Sequence, residues 1–223
     1  MKKLLQQNRA GGQRRMTQVF KDFCELSALS MRNAVQPEGR DDREARYLAI
    51  ASGYTTDEMN RFAECMSKVV LALEAKMGDV LGDLYMSLDL GNEAIGQFFT
   101  PYDVSRTMAA MTVDPILGEL ATKPFITMHE PASGSGGMVI ALAEKLRDAG
   151  FNYQRQIHVQ ATDIDPTAVH MTYIQLSLLG IPAQVTHGNT LSAETFDVWP
   201  TPAHVLGGWE TRLAIRDAFE RIA

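Results

Sequence analysis

The sequence predicts an α/β protein: a helical domain over residues 1–95, then, over residues 96–223, a doubly wound sheet truncated after about its fourth strand. Three observations predict it. Residues 17–88 repeat apolar side chains at helical spacing, short apolar runs alternate with helical ones from about residue 124, and a turn with three glycines joins the first such run to its helix.

The elements follow in order. Val19, Phe20, Phe23, Leu26, Leu29 and Met31 recur at intervals of mostly three, giving one helix an apolar face that ends near Pro37 and Gly39. A second helix covers Asp41 to Ile50 and stops at Gly53. Thr55 stands three residues before Glu58, the spacing of a capping box, and Met59, Phe62, Met66, Val69 and Leu73 follow with helical period. Asp79 to Leu88 is a short helix closed by Gly91. Phe125–His129, Ile157–Thr162 and Ala183–Thr186 then read as strands, with Met138–Leu146 and Pro166–Leu179 as the helices between them. A fourth strand begins near Phe196, and Glu210 to Ile222 reads as a last helix. Strands and helices in alternation predict parallel strands with a ligand site at their carboxyl ends.

Composition sets outer bounds. With 223 residues, 45% of them hydrophobic, the chain can build a core without disulfide or metal staples. Cys24 and Cys65 lie in amphipathic stretches without a CxxC spacing, so they read as small buried residues of a reducing compartment. No apolar run is long enough for a membrane span and the basic N-terminus has no signal-peptide core, so a cytoplasmic protein is expected. The five histidines show no metal-ligand spacing, and no metal is assigned. The 27 acidic side chains outnumber 21 basic ones, which argues against a uniformly basic DNA-binding face. Lys2, Lys3, Arg9, Arg14, Arg15 and Lys21 precede the first acid, Asp22, and read either as a frayed, solvated terminal segment or as a nucleic-acid arm.

The chemistry concentrates in Glu130-Pro131-Ala132-Ser133-Gly134-Ser135-Gly136-Gly137. Glycines between a strand and a helix let the backbone approach a ligand, and the N–H groups of the following helix face it. Asp163 ends the next strand, where an acid accepts hydrogen bonds from ribose hydroxyls; helix capping is the competing role, for which Asp165 is better placed. Loop and acid together point to a nucleoside-containing cofactor.

Gly96-Gln97-Phe98-Phe99-Thr100-Pro101, the glycine segment, and Thr162-Asp163-Ile164-Asp165-Pro166, with Asp79-Val80-Leu81-Gly82-Asp83-Leu84-Tyr85 upstream, resemble the amino-terminal motifs of adenine-specific N6 DNA methyltransferases. The resemblance covers roughly residues 75–190 and is nearest to the modification subunit of type I restriction-modification systems and its short phage- and plasmid-borne relatives. It implies a Rossmann-like methyltransferase sheet and S-adenosylmethionine as cofactor. By this resemblance Gln97, Phe98, Phe99, Thr100 and Pro101 touch the methionine end, with Thr100 as a side-chain donor. Ser135, Gly136 and Gly137 match the loop under the methionyl carboxylate, Glu130, Ala132 and Gly134 of the same segment are also implied to bind the cofactor, Asp163 binds the ribose, and Ile164 lies against the adenine. Asn189, in Gly188-Asn189-Thr190-Leu191, stands where relatives often have an Asp that holds the adenine amino group; its amide carbonyl accepts the same bond without a charge.

One departure limits the expected activity. Relatives place Asn or Asp, two prolines and an aromatic after the fourth strand to hold the flipped adenine. Here Pro200-Thr201-Pro202-Ala203-His204 follows, so the catalytic residues stay unassigned, and His204 and Trp209 read as packing residues rather than substitutes. Two functions are therefore expected: an adenine N6-methyltransferase-type protein, or a catalytically inactive cofactor-binding or interaction module of a restriction-modification assembly. DNA binding by the chain alone should be weak. Val198, Trp199, Val205, Leu206 and Trp209 mark an apolar edge to be covered by the last helix, by a second copy, or by a restriction-modification subunit.

Overall fold

A computed structural model describes residues 1–88, 90 and 99–221. Gln97 and Phe98, two of the expected cofactor contacts, lie outside the described residues. The helical region holds α1 (Lys2–Gln7), α2 (Met16–Val35), α3 (Arg40–Ala51), α4 (Thr56–Ala75) and α5 (Val80–Ser87). After it come α6 (Tyr102–Leu120), β1 (Ile126–Glu130), α7 (Gly137–Asp148), α8 (Tyr153–Gln156), β2 (Ile157–Asp163), α9 (Pro166–Leu178), β3 (Ala183–Asn189), β4 (Glu194–Pro200), α10 (Pro202–Leu206) and α11 (Trp209–Glu220). The capping box expected at Thr55 and Glu58 forms in full. Both cysteines are free and buried, and burial raises the Cys65 thiol to about 11.

The basic amino-terminal run differs from the frayed segment expected. It is neither frayed nor a free arm: Leu5 is fully buried, the buried Asn8 side chain donates to the Glu58 carbonyl, and Arg14 pairs with Glu58 at 2.6 Å while stacking over the Tyr54 ring. An apolar residue and an amide with a waiting acceptor fix the segment on α4, which the charge pattern alone does not reveal.

The first three strands are parallel, in the order β1-β2-β3, as expected. The fourth is not: β4 turns back beside β3 and pairs antiparallel, with Val185 opposite Trp199 and Gln184 opposite Pro200. The reason is chain length. Only residues 190–193 separate β3 from β4, enough for a hairpin and far short of the dozen or so residues that a parallel crossover needs. In a doubly wound sheet the fourth strand would instead flank β1, which among the described residues pairs only with β2.

Period-two alternation gives the sheet two unlike faces. Met128, Val159, Ala161, Ala183, Val185 and Trp199 share the apolar face, which joins the core cluster that also takes in α7, α9 and the helices of the amino-terminal region. Thr127, His129, Gln160, Thr162, Gln184 and Thr186 share the other face, which is polar. At its amino end Trp209 is 1% exposed, with its ring centroid 5.0 Å from Phe125 and 5.3 Å from His158. The last helix therefore docks on the polar face rather than over the β4 edge. Beside β4, Arg32 of α2 bonds Asp197 at 2.8 Å and lies over the Trp199 ring, so both tryptophans are buried within the chain.

Two buried histidines are expected to make the fold acid-sensitive. His158 meets His204 at 2.8 Å, and burial, reinforced by that neighbour and by Arg216 and Arg212, lowers His158 to about 4. Burial likewise lowers His170, against Trp199, to about 4. Unfolded histidines titrate near ~6.5, so between that pH and 4 the unfolded chain binds more protons and stability falls as pH falls. Each histidine is expected to cost roughly 2 kcal/mol at pH 5 relative to pH 7. Calorimetric melting from pH 7 down to pH 4.5 should show a falling Tm, and the double variant His158→Gln, His170→Gln a flatter slope.

Candidate functional site

The carboxyl ends of β1 and β2 open into a cavity of about 690 Å³ between the glycine turn, the start of α6 and the start of α9. Its walls include Phe99, Thr100, Ala132, Gly134, Ser135, Gly137, Asp163 and Ile164, so eight of the expected cofactor contacts converge there. Pro101, Glu130, Gly136 and Asn189 do not line it. Pro101 is the N-cap of α6, and Gly136 the N-cap of α7. Glu130 accepts from the Ala132 N–H at 3.3 Å, and burial raises its carboxyl above the ordinary range. The Asn189 side-chain carbonyl accepts from the Leu191 and Ser192 N–H groups, closing the β3–β4 turn.

Backbone demands explain the glycines. Gly134 and Gly136 sit at φ +55° and +93°, where a side chain is strained, and a Cβ on Gly134 would stand 2.9 Å from the Phe99 ring. The turn is fastened from several sides: the Ser133 N–H donates to the Thr162 carbonyl, and the Thr172 hydroxyl to the Gly134 carbonyl at 2.9 Å. Asp163 accepts from the Gly134 N–H at 2.8 Å through one oxygen and from the Asp165 N–H at 2.9 Å through the other. Burial raises the Asp163 carboxyl above its usual range, opposed by these N–H donors. Asp165 caps α9 by accepting from the Thr167 N–H, so Asp163 is not spent on that cap.

The deepest support is a buried polar knot. Asp79, 3% exposed, accepts from the Gly82 N–H at 2.9 Å, from the Gln175 amide at 2.8 Å and from the Ser135 hydroxyl. Gln175 completes it by accepting from the Leu81 N–H and donating to the Ser135 carbonyl. Behind the cavity lining, buried Glu144 of α7 accepts from the Tyr102 hydroxyl at 3.1 Å and from Arg106 at 2.9 Å, fixing α6 against α7.

Sequence reasoning missed Ser105, Ser133, Met138, Asp165 and Pro166 as cavity walls. Ser133 and Met138 flank the glycine turn, and Asp165 and Pro166 follow Asp163, so adjacency to a recognised motif was their signal. Ser105 lies one turn into α6, four residues after the recognised Thr100-Pro101 segment, so it too was within reach of a motif.

The residues fit a nucleoside cofactor with an amino-acid tail. The volume lies in the range of ordinary ligand sites, Asp163 lines it, and so does Gly137 at the start of α7, a helix with no side-chain cap. Among the described residues no group of three or more His, Cys, Asp and Glu side chains is arranged to hold a metal. The segment after β4 is elsewhere. Because β4 runs antiparallel, Pro200, Thr201 and His204 lie at the amino end of β3, about 20 Å along the sheet from its carboxyl end. There the Thr201 hydroxyl donates to the Ile181 carbonyl and accepts from the Ala183 N–H, and His204 is held by His158.

Removing the Asp79 carboxylate would strand three buried donors. Asp79→Ala is expected to lose about 3 kcal/mol or more in urea unfolding. Gly82→Ala should act in the same direction, since its Cβ would stand 2.6 Å from the Ser135 hydroxyl oxygen.

The family model described as N-6 DNA methylase matches residues 76–207. Among solved structures, a protein described as a class I S-adenosylmethionine-dependent methyltransferase from Listeria monocytogenes aligns with a TM-score of 0.47 and 8% identity, over 85% of this chain and 52% of that one. The chain thus spans about half the length of that protein. A comparison with curated proteins gave no match.

Proposed function

The chain belongs to the N-6 DNA methylase family, S-adenosylmethionine is its cofactor, and we propose that it is an adenine N6-methyltransferase-type protein of a restriction-modification system whose cavity walls hold that cofactor. The observation that carries this reading is the convergence of the glycine turn, Asp163, Ile164 and Thr100 on one cavity. When bound, the cofactor supplies an electrophilic methyl group. In this reading Asp163 accepts from the ribose hydroxyls, Ile164, 61% exposed at the rim, covers the adenine, and the turn with the start of α7 takes the methionyl end.

A second reading has its own support: the segment after β4 lies at the far end of the sheet from the cavity and contains no Asn-Pro-Pro-aromatic sequence. In that reading the chain binds cofactor without transferring its methyl group and acts through a modification subunit or a second copy of itself. The two separate in one assay, transfer of a labelled methyl group to unmodified DNA, run with and without a full-length modification subunit. Transfer by the chain alone supports the enzyme; no transfer in either arm, with cofactor bound, supports the module.

Two further outcomes are expected. Calorimetric titration should show S-adenosylmethionine binding, weakened by on the order of 1.5–3 kcal/mol in Asp163→Ala, because a charge-assisted contact is lost. No heat and no thermal shift at millimolar cofactor would defeat the reading. DNA binding by the chain alone should be weak and disappear as salt rises, since the net charge is −6 and Arg14 of the basic run is committed to Glu58.

A further inference from the structure

The uncovered part of the polar sheet face is a groove. β1, β2 and β3 run parallel, and parallel sheets ordinarily bury both faces. In this chain α7, α9 and the amino-terminal helices cover the apolar face, while α11 packs on the polar one at its amino end, with Trp209 against Phe125 and His158. The open remainder holds two cavities, of about 400 and about 590 Å³, that share Gln184 and Val198 as walls and so run into one another. One reaches the β3–β4 turn at Thr190 and Glu194. The other reaches Pro37 and Glu38 in the loop between α2 and α3, and Glu210 at the start of α11. Neither shares a wall with the cavity over the glycine turn.

The floor of the groove is unpaired. Gln160 stands beside Gln184, and Thr162 beside Thr186, and none of these four side chains has a hydrogen-bond partner among the described residues. Carboxamides and hydroxyls both donate and accept, so the floor matches a ligand that alternates N–H with C=O, as an extended peptide backbone does. The walls carry charge of one sign. Glu38, Glu194 and Glu210 are exposed and form no ion pair among the described residues, and no lysine or arginine lines either cavity. Arg43 bonds the Glu38 carbonyl from outside the groove, and Glu194 accepts from the Ser192 hydroxyl.

Those walls select a cation and repel the phosphates of a nucleic acid. A polyamine, which only donates, would leave the carboxamide N–H groups of the floor without acceptors. The chain's own basic run is not the occupant, because Leu5, Asn8 and Arg14 fasten it to α4. We propose that the groove docks an extended, lysine- or arginine-bearing segment of a partner protein, its backbone along the glutamines and threonines and its cations at Glu38, Glu194 and Glu210. The seven residues of β4 give the floor a length of about 20 Å, room for a segment of six to eight residues. This docking is independent of the cofactor reading.

The test is calorimetric titration at low salt with an eight-residue, end-blocked peptide alternating lysine and threonine, beside its glutamate counterpart, spermine as a cation of matched charge, and a short oligothymidylate. The wild type should bind the lysine peptide more tightly than spermine, leave the glutamate peptide unbound, and lose affinity as salt rises. The triple variant Glu38→Gln, Glu194→Gln, Glu210→Gln should weaken the lysine peptide roughly fivefold or more while keeping the wild-type Tm, since its three sites are exposed. In Gln160→Ala, Gln184→Ala the advantage of the peptide over spermine should disappear. No heat with the lysine peptide at millimolar concentration, or affinity unchanged in the triple variant, would overturn the proposal. Spermine bound as tightly as the peptide by the wild type would overturn it in favour of a polyamine site. Oligothymidylate binding that the same glutamines weaken would overturn it in favour of a nucleic-acid surface.

Discussion

The Asp79 carboxylate holds together three parts of the chain that are far apart in sequence: the first turn of α5, the Ser135 corner of the glycine turn, and Gln175 in α9. A carboxylate this deeply buried persists only where hydrogen bonds replace its lost hydration, and here three donors do so. Position matters too. A Cβ on Gly137 would lie 3.2 Å from an Asp79 oxygen, so the acid sits by the start of α7, where the helix dipole favours negative charge. The glycine turn thus owes its shape as much to a residue more than fifty positions earlier as to its own glycines. This makes the amino-terminal helices part of what shapes the cavity, consistent with one apolar cluster running through both regions.

A second constraint is the four-residue turn between β3 and β4. It commits β4 to antiparallel pairing, sends the following prolines to the amino end of the sheet, and leaves β1 with a single strand neighbour among the described residues. Trp199 and Trp209, which mark an exposed edge when read in sequence, become internal on opposite faces: Trp199 under Arg32 and against His170 and Tyr173, Trp209 against Phe125 and His158. The uncovered part of the second face carries threonine, glutamine and histidine, side chains that tolerate water.

Two parts of the cavity wall are built differently. Asp163 is engaged by two N–H groups, so it fixes the turn and keeps acceptor capacity on both oxygens. At the start of α7 the helix has no side-chain cap, and the Asp79 carboxylate lies beside it.

Local rules were sufficient wherever neighbours in sequence decide the outcome. The capping box at Thr55, the N-caps at Asp79 and Asp165, the three parallel strands, and the cavity residues of the glycine turn and of Asp163-Ile164 were all legible, because turn chemistry and hydrophobic period act over a few residues. The hairpin was not legible: the strands read from sequence leave residues 187–195 between them, and the four-residue turn follows only from β3 running on to Asn189 and β4 starting at Glu194. Tertiary structure alone decided the rest. Asp79 reads in sequence only as the start of a short helix, and the docking of α1 needed the Glu58 carbonyl as acceptor for Asn8. Each of these depends on a buried polar partner from a distant segment, and the demand that a buried donor or acceptor be satisfied is set by the packed three-dimensional surroundings, which no local periodicity encodes.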